Sequence, residues 1–121
     1  MRLIALRGAT TVEGNQAESI LSATGELMGE LLGRNRLDAD SIVSCIFTLT
    51  EDLDAEFPAV AARQLGLGRV PLLCAREIPV PGSLPRVIRV LMHCYPPVGV
   101  KPQHVYLGEA RRLRLDLEGA Q

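Results

Sequence analysis

The sequence contains no tryptophan, only two tyrosines and two phenylalanines, and a single lysine among its thirteen basic residues. Proteins that bind single-stranded nucleic acid stack bases on aromatic rings, and most nucleic-acid binders present a basic surface. With 3% aromatic residues and a formal net charge of −1, this chain has neither property. We therefore expect no nucleic-acid partner. The preference for arginine over lysine is what a GC-rich genome produces, so only arginines in unusual positions are informative.

Signals for membrane insertion, secretion and disulfide formation are also missing. No apolar run approaches the roughly 20 residues of a membrane span, and the N-terminus lacks the features of a signal peptide. The three cysteines, Cys45, Cys74 and Cys94, are odd in number and far apart, and each lies in an apolar stretch. This pattern is typical of reduced thiols in a cytosolic protein. We expect a cytoplasmic protein without a membrane partner.

Several motifs that carry chemistry are absent as well. Gly66-Leu67-Gly68 is too short to cradle a phosphate and has no following lysine, and no Gly-x-Ser-x-Gly elbow occurs. His93 and His104 do not pair with cysteines or carboxylates at the spacing of metal ligands. A zinc site is therefore not expected.

The chain has 121 residues, of which 47% are hydrophobic, enough for one domain over residues 1–121 that buries about two-thirds of its unfolded surface. Apolar alternation predicts strands, and apolar residues at helical spacing predict helices. The strands cover residues 1–8, 41–49, 70–78, 86–94 and 104–107, and the helices cover residues 15–33 and 57–66. We predict an α/β or α+β fold with helices on one face of the sheet. Copies of the same chain would bury the other apolar face most simply, which predicts a homo-oligomer.

The ends of both helices are suggested by particular residues. Asn15 is predicted to cap the first helix, with Glu18 as the reciprocal partner of a capping box, and Gly33 to end it. Pro58 suits the first position of the second helix.

Two arginines occupy positions where an apolar residue is expected. Arg89 lies within the apolar run Val87–Met92, and Arg7 ends the apolar run Leu3–Leu6. A buried guanidinium without an anionic partner costs several kcal/mol, so a negative group should lie beside Arg89. We expect this counter-ion to be the substrate itself. Two such arginines at the edge of a core predict a site for an acid.

Two other side chains have both a chemical and a structural interpretation. His93 shares a strand face with Arg89 and could act as a general base, although a single structural hydrogen bond is the commoner role at such a position. Cys74 could be a nucleophile, but the residues on either side of it, Leu73 and Ala75, are apolar, which favours packing. The remaining arginines, carboxylate and phenol suit electrostatics and positioning, and a unimolecular rearrangement needs nothing more.

The segment Arg7-Gly8-Ala9-Thr10-Thr11-Val12-Glu13 resembles the N-terminal signature of monofunctional chorismate mutases of the trimeric, bacillus type. Five further blocks agree in order and spacing: Phe57-Pro58-Ala59 with Arg63, Cys74 with Glu77, Ile88-Arg89-Val90, His104-Val105-Tyr106-Leu107, and Leu113-Arg114. The resemblance covers nearly the whole chain, and several blocks in register are far more specific than any one of them.

The resemblance implies an isomerase that converts chorismate to prephenate by an intramolecular Claisen rearrangement, in the branch of the shikimate pathway toward phenylalanine and tyrosine. It implies an α+β fold with a mixed five-stranded sheet, related to the ferredoxin-like fold. Three copies would form a pseudo-barrel homotrimer with active sites between subunits. No cofactor is implied.

The resemblance also implies roles for individual residues. Arg89 would stabilise negative charge that develops on the ether oxygen, where an arginine binds the transition state better than the substrate. Arg7 would hold a substrate carboxylate, together with the phenol of Tyr106. Glu77 would meet the ring hydroxyl and the positive charge that develops on the ring, and Cys74 would line the ring side.

Further matched positions form a wall contributed across the interface, namely Phe57, Ala59 and Arg63, and a C-terminal lid, namely Leu113 and Arg114. The chain departs from the family at two places. Some relatives carry a basic residue where this sequence has Val60, and the tail after Leu117 is short. One charge contact and part of the lid are therefore not expected here.

Two alternative interpretations stay open, although each leaves a feature of the sequence unexplained. A trimeric small-acid-binding protein or an imine deaminase of the same fold would not be expected to keep Glu77 and the block Arg7–Thr11 together with Arg89. An adaptor that oligomerises through its sheet would bind no ligand, and this leaves both arginines unexplained.

Overall fold

A computed structural model describes residues 2–113, which form a mixed five-stranded sheet with helices on one face. The strands are β1 (Ile4–Thr11), β2 (Ile42–Leu49), β3 (Leu72–Arg76), β4 (Val87–Cys94) and β5 (Val105–Tyr106). Their order across the sheet is β3-β2-β4-β1-β5. β4 is antiparallel to β1 and β2, whereas β3 is parallel to β2 and β5 is parallel to β1. The structure confirms the predicted α+β architecture.

Two α-helices and two short 3₁₀ turns accompany the sheet, and residues 111–113 at the end of the described range are helical as well. The helices are α1 (Ala17–Arg34) and α2 (Pro58–Gln64), and the 3₁₀ turns cover Ala39–Ser41 and Gly108–Ala110. Helix α2 has proline at its first position, as predicted. Helix α1 continues one residue past Gly33 and ends at Arg34.

The predicted capping box at the start of α1 is wrong. Gln16 is the N-cap, and no side chain caps the helix. The Asn15 side chain instead binds the acidic loop, because its Oδ1 accepts hydrogen bonds from the backbone N–H groups of Asp54 and Ala55, at 3.0 and 3.1 Å. Its amide nitrogen also donates to the Asp54 carboxylate at 2.7 Å. Asn15 therefore joins the start of α1 to the loop after β2.

The main core lies between the helices and the inner face of the sheet. The fully buried side chains that α1, β1, β2 and β4 contribute to it include Leu6, Leu27, Met28, Leu31, Phe47 and Met92. Helix α1 packs so closely on β1 that a Cβ atom at Gly8 would lie 2.9 Å from Leu31 Cδ1 and 2.9 Å from Val90 Cγ1. Glycine at residue 8 thus permits the close approach of helix and strand.

The opposite face of the sheet is uncovered within residues 2–113. Because side chains alternate along a strand, Val90 and Met92 enter the core, whereas Arg89, Leu91 and His93 lie on the outer face. Leu73 of β3 is 61% exposed and Leu91 is 37% exposed. The outer face therefore combines charged groups with exposed apolar side chains, as the sequence predicted.

The short edge strand β5 is connected to the end of α1 through the buried side chain of Asn35. The amide nitrogen of Asn35 donates to Leu31 O and to Gln103 O, both at 2.9 Å. Its Oδ1 accepts a hydrogen bond from the Gln103 N–H at 2.7 Å. These three bonds hold the segment that leads directly to Tyr106.

Candidate active site

A cavity of about 390 Å³ opens on the outer face of the sheet, across the strands β2, β4, β1 and β5. Its lining combines charged, polar and apolar residues, and consists of Arg7, Gly8, Ala9, Ile46, Thr48, Glu77, Arg89, Val90, Leu91 and Tyr106. Four residues predicted for the site, Arg7, Glu77, Arg89 and Tyr106, therefore lie around one cavity. Their positions in the sequence span one hundred residues, and the sheet brings them together.

The two arginines meet because β1 and β4 are antiparallel neighbours. Arg7 pairs with Leu91, and Ala9 pairs with Arg89, so both guanidinium groups project from the same face in diagonal positions. Gly8, which lies between Arg7 and Ala9 on β1, faces helix α1 instead. The alternation of side chains along β1 thus separates the packing residue from the functional one.

Arg89 forms an ion pair with Glu77, with 2.8 Å between Arg89 Nε and Glu77 Oε1. The side chain of Arg89 is 43% exposed and that of Glu77 is 19% exposed, so the pair lies at the cavity wall. Although Nε is buried, its N–H does not point at the carboxylate with hydrogen-bond geometry, and it has no other partner among residues 2–113. The terminal nitrogens of Arg89 also make no hydrogen bond within this part of the chain.

This ion pair corrects one expectation. A negative group does lie beside Arg89, but it is Glu77, and not only a substrate. The sequence did not reveal this pairing because Glu77 follows β3, which is separated from β4 by β2 in the sheet. The pair leaves the terminal donors of Arg89 available for a ligand.

The carboxylate of Glu77 is held in place by its neighbours on β2. The Glu77 N–H donates to Leu49 O at 2.8 Å, which extends the pairing of β3 with β2 by one residue. The hydroxyl of Thr48 donates to Glu77 Oε2. Both carboxylate oxygens therefore have a partner, one in Thr48 and the other in Arg89. Thr48 was not predicted as a site residue, since no motif marks a threonine in a strand.

Arg7 and Tyr106 form the other side of the cavity. Tyr106 pairs with Ala9 in the parallel ladder between β1 and β5. The backbone N–H of Arg7 donates to His104 Nδ1 at 2.9 Å, which fixes the chain just before β5 against β1. Among residues 2–113, no carboxylate lies within ion-pair distance of the Arg7 guanidinium. With two arginines and one glutamate, the cavity carries a formal excess of one positive charge, which suits an anionic ligand.

The remaining predicted site residues do not line this cavity within one chain. Phe57 is 64% exposed at the start of α2, and Arg63 is exposed on the same helix. Ala59 is buried in the core, because it lies on the inner face of α2. Leu113 is half-buried, and Arg114 lies outside the described residues.

Cys74 faces the helices and not the cavity. It pairs with the buried Phe47 in the ladder between β2 and β3, and it packs half-buried against the core. Its neighbour Ala75 therefore lies on the cavity side of the strand. The interpretation of Cys74 as a packing residue agrees with this position, whereas a place for its side chain at the ring side of the substrate does not.

Other reactive groups lie away from the cavity. His93 is on the outer face, where it pairs with Ala5 and Ser44, and it is absent from the cavity wall. Burial raises the pKa of the Cys45 thiol to about 12, with a smaller contribution from Cys94, and burial also raises the pKa of Cys94. Both thiols are therefore poor nucleophiles. Residues 2–113 contain no group of three His, Cys, Asp or Glu side chains that could hold a metal ion.

Comparison with known proteins decides the family. The sequence model of chorismate mutase type I matches residues 3–117. The chain belongs to the type I chorismate mutase family. This membership confirms the resemblance inferred from the sequence, and it does not favour the alternative of a small-acid-binding protein or an imine deaminase.

Individual chorismate mutases are similar over nearly their whole length. Chorismate mutase AroH from Thermus thermophilus is 55% identical over 119 residues, which cover 96% of this chain and 97% of that protein. Chorismate mutase AroH from Bacillus subtilis is 39% identical, with coverage of 97% and 94%. A solved chorismate mutase from Clostridium thermocellum superposes with a TM-score of 0.86 at 47% identity, covering 90% of this chain and 98% of that one. No helix within residues 2–113 is both long and apolar enough to cross a membrane.

Proposed function

We propose that this protein is a chorismate mutase that rearranges chorismate to prephenate in the cavity on the outer face of its sheet, and so serves phenylalanine and tyrosine biosynthesis. The observation that carries the proposal is the convergence of Arg7, Glu77, Arg89 and Tyr106 on one cavity in a chain of the chorismate mutase family. Chorismate is a dianion, and the excess positive charge of the cavity is complementary to it.

Arg7 and Tyr106 would fix one end of the substrate. The Arg7 guanidinium has no ion-pair partner among residues 2–113, so its planar fork can bind a carboxylate with two parallel hydrogen bonds. The phenol of Tyr106 lies on the neighbouring strand β5 and can donate to the same group. Fixing the carboxylate here selects the compact conformer from which the rearrangement starts.

Arg89 would act on the bond that breaks. In the rearrangement the ether carbon–oxygen bond breaks ahead of the formation of the new carbon–carbon bond, so negative charge grows on the ether oxygen. The terminal nitrogens of Arg89 make no hydrogen bond with residues 2–113 and can donate to this oxygen, which stabilises the transition state more than the substrate. Glu77, which holds Nε, would stabilise the positive charge on the ring. The apolar side chains of the lining, Ile46 and Leu91, would contact the ring.

The reaction proposed here needs no external acid, base or cofactor, because all bonds form and break within one molecule. The protein therefore contributes binding, conformational selection and fixed charges. The cavity wall formed by residues 2–113, which contains neither histidine nor cysteine, suits such a reaction.

We also propose that three copies assemble through the uncovered sheet face. The exposed side chains of Leu73 and Leu91 support this arrangement, since both would otherwise stay in water. Phe57 and Arg63, which are exposed and away from the cavity of their own chain, would then complete the site of a neighbouring subunit. We place the enzyme in the cytoplasm.

The test is to add purified protein to chorismate and to follow the loss of its ultraviolet absorbance together with the appearance of acid-labile prephenate. We expect the rate of chorismate loss to be proportional to the enzyme concentration. One molecule of prephenate should form for each molecule of chorismate consumed. A rate equal to the spontaneous reaction would refute the proposed activity. Analytical ultracentrifugation tests the assembly. We expect a trimer, and a monomer at micromolar concentration would refute the proposed assembly.

A further inference from the structure

Thr48 is an uncharged residue of the cavity wall that lies next to both Glu77 and Arg89. In the sheet it pairs with Arg89 of β4 on one side and with Ala75 of β3 on the other. Paired residues of neighbouring strands project from the same face, so the Thr48 side chain stands beside that of Arg89. Its hydroxyl donates to Glu77 Oε2, and the other oxygen of that carboxylate lies 2.8 Å from Arg89 Nε.

Thr48 and the backbone together leave the Glu77 carboxylate little freedom. The main chain of Glu77 is held by its N–H bond to Leu49 O at 2.8 Å, and the carboxylate is held by the Thr48 hydroxyl. Arg89 has a long side chain with several rotatable bonds, and its contact with Glu77 is an ion pair without hydrogen-bond geometry. Glu77 is the only ion-pair partner of Arg89 among residues 2–113, so the position of its carboxylate determines where the terminal nitrogens of Arg89 point.

We propose that Thr48 is a positioning residue for the rearrangement: its hydroxyl orients Glu77, and Glu77 in turn aims Arg89 at the breaking ether bond. This inference rests on the proposed function. Thr48 need not touch the substrate for this role. Its removal would change the alignment of two charged groups without changing the net charge of the cavity.

The test compares Thr48→Val with Thr48→Ser and the wild-type enzyme. Valine keeps the β-branched shape that a strand prefers and removes the hydroxyl, whereas serine keeps the hydroxyl and removes a methyl group. For Thr48→Val we expect kcat to fall by about 10- to 100-fold, the scale of a misaligned catalytic group, with KM changing by less than about threefold. Thr48→Ser should stay within about threefold of the wild-type kcat.

Ser44→Ala provides the matched control. Ser44 is a hydroxyl residue of the same strand that pairs with His93, and it makes no side-chain hydrogen bond within residues 2–113. The kcat of Ser44→Ala should equal that of the wild-type enzyme. Thermal unfolding followed by circular dichroism verifies that each variant is folded, and Thr48→Ala replaces Thr48→Val if the latter does not fold.

A double-mutant cycle distinguishes positioning from a general loss of structure. If Thr48 acts through Glu77, then Thr48→Val should reduce kcat in the wild-type background but not in a Glu77→Gln background. Equal reductions in both backgrounds, an unchanged kcat, or a rise in KM alone would each overturn the inference. A wild-type enzyme without activity on chorismate would instead refute the proposed function, so the two failures are distinguishable.

Discussion

Asn35 at the end of α1 binds both backbone polar groups of Gln103, a residue 68 positions later in the chain. The side chain is buried, and its third bond goes to Leu31 O. The end of the first helix thus determines where the chain enters β5, and β5 carries Tyr106.

We expect Asn35→Ala to lower the free energy of unfolding by about 2–4 kcal/mol, because it leaves a partly buried N–H and a carbonyl of Gln103 without partners. The KM for chorismate should rise as well, since Tyr106 loses its support. Gln103→Ala is the matched control: the bonds use the backbone of residue 103, so this variant should behave as wild type. Urea unfolding of both variants is the measurement, and equal midpoints would contradict the role of Asn35.

Gly8→Ala should destabilise the fold by about 1–3 kcal/mol, the usual cost of overpacking. The added methyl group would lie 2.9 Å from both Leu31 Cδ1 and Val90 Cγ1, so α1 would have to move away from β1. Gly29→Ala in the same helix meets no atom within 4 Å and should stabilise by about 0.5–1 kcal/mol. Thermal unfolding should therefore shift in opposite directions for the two variants.

Arg89→Ala should lower kcat by about 100-fold or more, the scale for losing a donor aimed at developing oxyanion charge. Arg89→Lys should recover little of this loss, because an ammonium group cannot pair with Glu77 and still present a fork to the substrate. Arg34→Ala is the control, since Arg34 forms an exposed ion pair with Glu30 on α1. Steady-state kinetics would count against the role of Arg89 if its alanine variant stayed within a few-fold of wild type.

His93→Gln should leave turnover unchanged and should not alter the dependence of kcat on pH. His93 lies on the outer face but outside the cavity wall, and the proposed reaction transfers no proton. The measurement is a pH–rate profile of the variant beside that of the wild-type enzyme. A large loss of kcat with the fold preserved would restore the general-base interpretation.

Stability should fall as the pH rises above about 8.5, where the thiol of an unfolded chain loses its proton. Burial raises the pKa of Cys45 to about 12 in the folded chain, so the unfolded state binds fewer protons between these two values. Cys45→Ala should make the alkaline decline shallower, whatever its effect at neutral pH. Urea unfolding across this range gives the slope, and identical slopes would show that Cys45 does not contribute.

The sequence was sufficient for the features that depend on one strand or one helix. Arg89 could be recognised because it interrupts an apolar run, and Arg7 because it ends one, whereas their shared face follows from the pairing of β1 with β4. Thr48 could not, because its role depends on the register of three strands. The face of Cys74 was missed for the same reason: the pairing of β3 with β2, which puts Cys74 opposite Phe47, leaves no mark in the sequence.

The predicted N-cap of α1 was wrong for a different physical reason. Asn15 has the side chain that a helix N-cap requires, but the acidic loop around Asp54 offers it three hydrogen bonds. Local propensity favours a bond from Asn15 to the backbone of α1, whereas in the folded chain Asn15 binds the loop around Asp54. Such competition between nearby and distant partners is invisible until the fold is known.

Leu91 belongs both to the exposed apolar face and to the cavity wall. A partner that covers this face therefore also borders the mouth of the cavity. Covering of the face and binding of a ligand in the cavity are then coupled. In the proposed assembly through this face, a bound substrate should strengthen the association of subunits, and association should strengthen substrate binding by the same factor. The specific activity of the enzyme should then decrease on dilution, and high chorismate concentrations should prevent the decrease.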